Sequence, residues 1–218
     1  MSTDLTLLLG SAVLTPILVL GWLRWARPEV AHWSTGSIAQ QATRLPLSWI
    51  LVAAMVWASL PLQAPGEHPV TWLALLFFAT GLLAAARIDA QTQLLPDRIT
   101  RTLVVSGLLA SLWPGWPTTL EAALAGGVIG YLLPWGLNTL WLLCKPGQPA
   151  MGRGDHALLC AVGAWLGPLA PALVLGLGAV ILLPLAIWCL LARGHSPQAT
   201  LPFGPGLCLA AWLAMPIL

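Results

Sequence analysis

The chain has 218 residues, of which 58% are hydrophobic and 7% charged, with a mean hydropathy of +0.86 and a net charge of +2. Soluble domains carry about 25% charged residues, so nine Lys and Arg with seven Asp and Glu cannot solvate a globule of this size. An ordinary soluble enzyme, a nucleic-acid-binding domain and a disordered protein are excluded, which leaves a polytopic membrane protein embedded in a lipid bilayer.

The apolar stretches are continuous and rich in Leu and Ala rather than alternating, so they read as helices and not as barrel strands. The expected fold class is an all-α polytopic membrane protein of about eight transmembrane helices, near 5–23, 46–62, 69–87, 98–113, 119–143, 155–169, 171–192 and 202–217. The first follows Asp4 and is followed by Arg24 and Arg27, with no small-residue cleavage site. A cleavable signal carries its charge at the other end, so 5–23 reads as an anchor whose C-terminal end is cytoplasmic. The longest polar stretch, 24–45, follows as a loop. Gly167, Pro168 and Pro171 interrupt the sixth apolar run, and spans six and seven could instead form one broken or re-entrant element.

The charges give an independent check, because cytoplasmic loops carry the Lys and Arg. With eight spans, all nine basic residues fall on one side: Arg24, Arg27, Arg44, Arg87, Arg98, Arg101, Lys145, Arg153 and Arg193. Asp4, Glu67 and Glu121 fall on the other. Tryptophans near span ends, such as Trp22, Trp25, Trp113 and Trp141, read as interfacial anchors. Gly126 and Gly130 form a G-x-x-x-G spacing that suits close helix packing. Cys144, Cys160, Cys189 and Cys208 form no C-x-x-C pair, and so no zinc knuckle.

Three of the four aspartates lie in two segments predicted to share one membrane face. Arg87-Ile88-Asp89 leads through Leu94-Leu95-Pro96-Asp97 from the third span into the fourth, and Met151-Gly152-Arg153-Gly154-Asp155-His156 opens the sixth. Asp97 follows a proline at a helix start, where a carboxylate caps free N–H groups and complements the macrodipole. Asp155 could also cap, while Gly152 and Gly154 permit a tight turn and close approach by another segment. Asp89 is different. It lies at the C-terminal end of a span, where a negative charge opposes the helix dipole. Two such carboxylates, brought together, are the equipment of aspartyl proteolysis: side by side they share a proton, one drawing a proton from water while the other polarises the scissile carbonyl.

The pairing of I-D-x-x-x-x-L-L-P-D with G-R-G-D resembles the signature of the type IV prepilin peptidases, bacterial G-x-G-D membrane aspartyl proteases. Leu201-Pro202-Phe203-Gly204-Pro205 resembles a further stretch of that family before its last span. The resemblance implies Asp89 and Asp155 as the catalytic pair, with Asp97, Gly152, Gly154 and His156 supporting. Residues 46–218 would form the transmembrane peptidase domain, after an anchor and short cytoplasmic loop over 1–45. The substrates would be type IV prepilins or pseudopilins, cleaved at the cytoplasmic face of the bacterial inner membrane to remove a short basic leader. Proteolysis would need no metal and no cofactor.

The chain departs from the family's pattern at two points, the missing insert and His156. Many members carry an insert with two C-x-x-C pairs after the first span, and the loop here has no cysteine. Many also N-methylate the product, which would require S-adenosylmethionine. His156 stands where the family commonly has Lys; it could contact a carboxylate or simply be solvated, and Arg153 reads as a cytoplasmic surface charge. The presenilin-like branch of G-x-G-D proteases is a weaker match. A small secondary transporter is the rival class, but it would place an ionisable group mid-membrane. A non-catalytic assembly factor of a pilus or secretion system is a third reading.

Overall fold

The computed structural model describes residues 2–33, 69–147, 149–193 and 202–215. The second apolar stretch, 46–62, and the 45/46 domain boundary lie outside them. The described residues form helices without strands: α1 (Ser2–Trp33), α2 (Pro69–Thr92), α3 (Asp97–Ala110), α4 (Leu120–Cys144), α5 (Arg153–Leu166), α6 (Ala170–Arg193) and α7 (Gly204–Ala214). They match the other seven expected stretches. Two of them, over Val70–Thr92 and Leu120–Cys144, are long and apolar enough to cross a membrane.

Those two helices are apolar for different reasons. In α2, 72% of the most apolar window is buried, against 28% in α4. Helix α4 turns Leu124, Val128, Leu132, Trp135 and Leu143 outward, an exposed apolar face of the kind that marks a membrane or partner contact. Helix α2 runs through the core, where Phe78 and Ile88 are fully buried with Leu103 of α3, Leu158 and Leu159 of α5 and Leu207 of α7.

Helix α1 does not end at residue 23. It continues to Trp33, and what was expected to begin a loop is helical over 24–33. Pro28 does not break it, and Val19, Leu23, Ala26 and Val30 bury one face in the same core. Trp22 is 7% exposed and packs on Phe77 at 4.9 Å, so it is a core residue and not an interfacial anchor. Trp25, Trp113 and Trp141 are exposed.

The G-x-x-x-G pair does what its spacing predicts. A Cβ at Gly126 would run into the Gly163 backbone, and one at Gly130 into the Leu159 backbone, so α4 and α5 touch main chain to main chain. Helix α5 is also tied to α3, where Trp165 Nε1 donates to the Leu103 carbonyl at 2.7 Å, and the Trp165 ring stacks on Phe78 at 4.7 Å. Gly167, with φ of +91°, ends α5, and α6 begins at Ala170, so the chain is broken into two helices at this point.

Candidate active site

Five helix ends meet at one end of the bundle: the C-termini of α1 and α2 and the N-termini of α3, α5 and α7. Between them is a cleft of about 460 Å³ whose walls include Asp89, Asp97, Asp155, Gly152, Gly154 and Arg153. The two sequence segments singled out for chemistry thus share one cleft. Arg153 lies on its wall, in addition to carrying a surface charge, and is exposed.

Leu95 and Gly154 join the two segments. Helix α2 stops where Gln93 adopts a left-handed φ of +54°, its N–H bonded to the Asp89 carbonyl at 2.8 Å. Pro96 then disfavours helix at the residue before it, and α3 starts at Asp97. The short link between α2 and α3 brings Leu95 against α5, where a Cβ on Gly154 would lie 2.6 Å from the Leu95 Cβ. Gly152 carries no such demand. Its φ of −73° suits any residue, and a Cβ there would meet nothing nearer than Asp155 Oδ2 at 3.5 Å.

Asp89 and Asp155 are both buried, at 5% and 8% exposure. Each has one carboxylate oxygen fixed by a main-chain donor. The Gly152 N–H donates to Asp155 Oδ2 at 3.1 Å, folding the G-R-G-D turn back on itself. The Gly204 N–H donates to Asp89 Oδ2 at 2.9 Å from the far end of the chain. The adverse placement of Asp89 at the end of α2 is therefore relieved by the N-terminus of α7, whose dipole has the opposite sense. The two carboxylates are within electrostatic reach of each other, and the buried Cys208 of α7, bonded to the Ala86 backbone, feels both. Such a pair cannot hold two full negative charges cheaply, so it can retain one proton and present both an acid and a base.

Asp97 does not cap α3 as expected. Its carboxylate pairs with Arg101 at 2.6 Å, one turn on, and is about half exposed. The cap comes from α1: Glu29 accepts from the Asp97 and Arg98 N–H groups at 3.0 and 3.1 Å. His156 is not solvated either. It is 4% exposed, edge-on to Tyr131 at 5.9 Å, and its Nε2 has no partner among the described residues. It turns away from the cleft wall toward α4. Arg87, read as a loop charge, is buried inside α2 at 4% exposure.

Several site residues escaped sequence reasoning. Trp33 and Gln93 line the cleft. Asn138 of α4 accepts from Ala150 N–H at 2.7 Å and donates to the Met151 carbonyl at 3.4 Å, holding the turn that precedes Asp155. Gly204 lay in a quoted motif without a role. An uninterrupted helical reading past Arg24 would have brought Glu29 and Trp33 into view; nothing local marks Asn138.

Residues 76–192 match the model of the type IV leader peptidase family. The chain is 37% identical over 197 residues to a prepilin leader peptidase/N-methyltransferase of Aeromonas hydrophila, covering 90% of this chain and 64% of that protein. The similarly named protein of Neisseria gonorrhoeae is 32% identical over 82% of this chain and 60% of its own length. That of Pseudomonas aeruginosa is 38% identical over 66% of this chain and half of its own. The chain thus spans less than two thirds of these relatives. No solved structure matches it. Because the family model covers over half of the chain, including both aspartate segments, the chain belongs to the type IV leader peptidase family.

Proposed function

We propose that this chain is a membrane aspartyl endopeptidase that removes the short basic leader from type IV prepilin or pseudopilin precursors. The observation that carries the reading is the pairing of Asp89 and Asp155 in one cleft, each with one oxygen held by a backbone N–H. The ionised carboxylate takes a proton from a water molecule, whose oxygen attacks the scissile carbonyl. The protonated partner donates to the carbonyl oxygen, and as the C–N bond breaks the departing amine receives a proton from the pair. No covalent enzyme intermediate is involved. Membership of the family and the prepilin peptidase names of the relatives support the substrate class.

In this reading the chain crosses the bacterial inner membrane eight times, counting 46–62, with the cleft at the cytoplasmic face where the basic residues gather. Residues 46–218 form the peptidase domain. Residues 1–45 anchor it and lend Glu29 and Trp33 to the site. The exposed apolar surface of α4 supports contact with lipid.

The relatives' names also carry N-methyltransferase. Another cavity, between α3, α4 and α5, is lined among the described residues by side chains such as Val104, Leu108, Val128, Tyr131 and Cys160.

The test is co-expression with a tagged type IV prepilin, followed by gel-shift analysis. Wild type should shorten the substrate. Asp89→Asn and Asp155→Asn should leave it uncut while inserting into the membrane normally. Normal processing by either variant would end the assignment of the pair.

A further inference from the structure

The Pro202-Phe203-Gly204-Pro205 segment supplies no reacting group to the chemistry described above, yet its Gly204 N–H ends on Asp89. Gly204 is the first residue of α7, and Phe203 before it supplies the carbonyl for the first helical hydrogen bond, from Leu207 N–H at 3.1 Å. Pro205 has no N–H. Of the first two residues of the helix, then, Gly204 alone has a donor, and that donor is spent on Asp89 Oδ2 at 2.9 Å in a buried setting. Space at this point is also closed. A Cβ on Gly204 would lie 2.7 Å from Asp89 Oδ2, 2.9 Å from its Cγ and 3.0 Å from its Cβ. Asp89 sits inside α2 and cannot retreat without rotating its side chain.

We propose that Gly204 is a positioning residue for Asp89, its N–H and missing side chain together setting the direction in which that carboxylate faces Asp155. The inference rests on the reading of Asp89 and Asp155 as the reacting pair. Among the described residues, the other titratable groups facing Asp89 are Asp155 from α5 and Cys208 from α7 itself. Asp155 is held by its own turn, three residues away, whereas the donor to Asp89 lies 115 residues away. The orientation of Asp89 therefore depends on the docking of α7 against α2.

Gly206 supplies the control. A Cβ there would meet the Leu182 side chain of α6 at 2.6 Å, crowding the same helix without touching the carboxylate. Full-length wild type, Gly204→Ala and Gly206→Ala would be reconstituted in vesicles and assayed for prepilin cleavage. Asp89 would also be labelled with dicyclohexylcarbodiimide, which adds to protonated carboxyl groups in apolar settings, and quantified by peptide mass.

Gly204→Ala should lower kcat by about 100-fold with little change in KM, the loss expected from a misplacement on the order of 1 Å. It should also label faster at Asp89, because the added methyl pushes the carboxyl off the residue-204 N–H and into the cleft. Gly206→Ala should lower the thermal midpoint yet keep wild-type kcat and labelling. Wild-type labelling of Asp89 in Gly204→Ala, or equal losses of kcat in the two variants, would overturn the inference. Failure of the wild type to cleave any prepilin would sink the protease reading instead, and the labelling rates would still decide the role of Gly204.

Discussion

Gly154 packs directly on Leu95, so closely that a Cβ on the glycine would lie 2.6 Å from the Leu95 Cβ. One residue comes from the G-R-G-D segment and the other from L-L-P-D. Their contact brings two stretches nearly sixty positions apart to one cleft. The clash is with the root of a side chain, so no rotamer change relieves it.

Gly154→Ala should therefore push the two segments apart. Overpacking of this kind costs about 1–3 kcal/mol, and the accompanying displacement should reduce cleavage by at least about tenfold. Gly152→Ala, with its nearest neighbour at 3.5 Å and an ordinary φ, should be mild in both respects. Thermal unfolding in detergent and prepilin processing, measured on both variants, separate the two glycines.

Glu29 and Asp97 make opposite predictions from their positions. Glu29 caps two N–H groups of α3 across helices and is largely buried, at 13% side-chain exposure. Its replacement by Ala should cost about 0.5–2 kcal/mol, the range for lost N-caps, and loosen the Leu95-Pro96-Asp97 wall of the cleft. Asp97→Ala removes an exposed pair with Arg101, worth about 0.3–0.5 kcal/mol at this spacing. Unfolding midpoints should rank wild type and Asp97→Ala close together, with Glu29→Ala well below.

Adjacent glycines on α4 should behave in opposite ways. Gly126→Ala drives a methyl into the backbone of Gly163 and should destabilise the α4–α5 contact by about 1–3 kcal/mol or more. At Gly127 the nearest atoms would be at 3.7 Å, an ordinary contact. There the gain in helix propensity, about 0.8–1.0 kcal/mol for Ala over Gly, should make Gly127→Ala neutral or stabilising. Equal destabilisation of the two would show that α4 does not meet α5 in this register.

His156 can be tested as a buried ring. Its Nε2 has no partner among the described residues, and an unsatisfied buried polar atom costs about 1–3 kcal/mol. His156→Phe keeps the edge-on contact with Tyr131 and removes that atom, so stability should hold or rise while cleavage persists. Loss of cleavage with an unchanged unfolding midpoint would instead give the imidazole a part in the reaction.

Much of this protein was legible before any coordinates. A chain with this few charges has no means of solvating a globule, so the all-helical apolar architecture followed from composition and from runs without period-two alternation. Seven of the expected stretches match described helices to within a few residues at most ends, because apolar length is a local property. Helix α1 is the exception: its polar end at 24–33 looked like loop by composition, yet it is helical, with Ala26 and Val30 buried in the core and Glu29 bonded to α3. The spacing of Gly126 and Gly130 also spoke correctly, since a helix repeat places residues four apart on one face.

The site divides along a similar line. The sequence by itself determined which residues carry the chemistry on offer: three aspartates in two segments, glycines beside one of them and a proline beside another. Tertiary structure alone decided how they are used. It set Gly154 on Leu95, gave the cap of α3 to Glu29 rather than Asp97, buried His156 against Tyr131 and placed the α7 N-terminus on Asp89. These outcomes depend on which helix ends meet, and no local pattern encodes that. A hydrogen bond between residues 115 positions apart is fixed by the packing of whole helices, whereas a helix or a turn is fixed by the few residues within it.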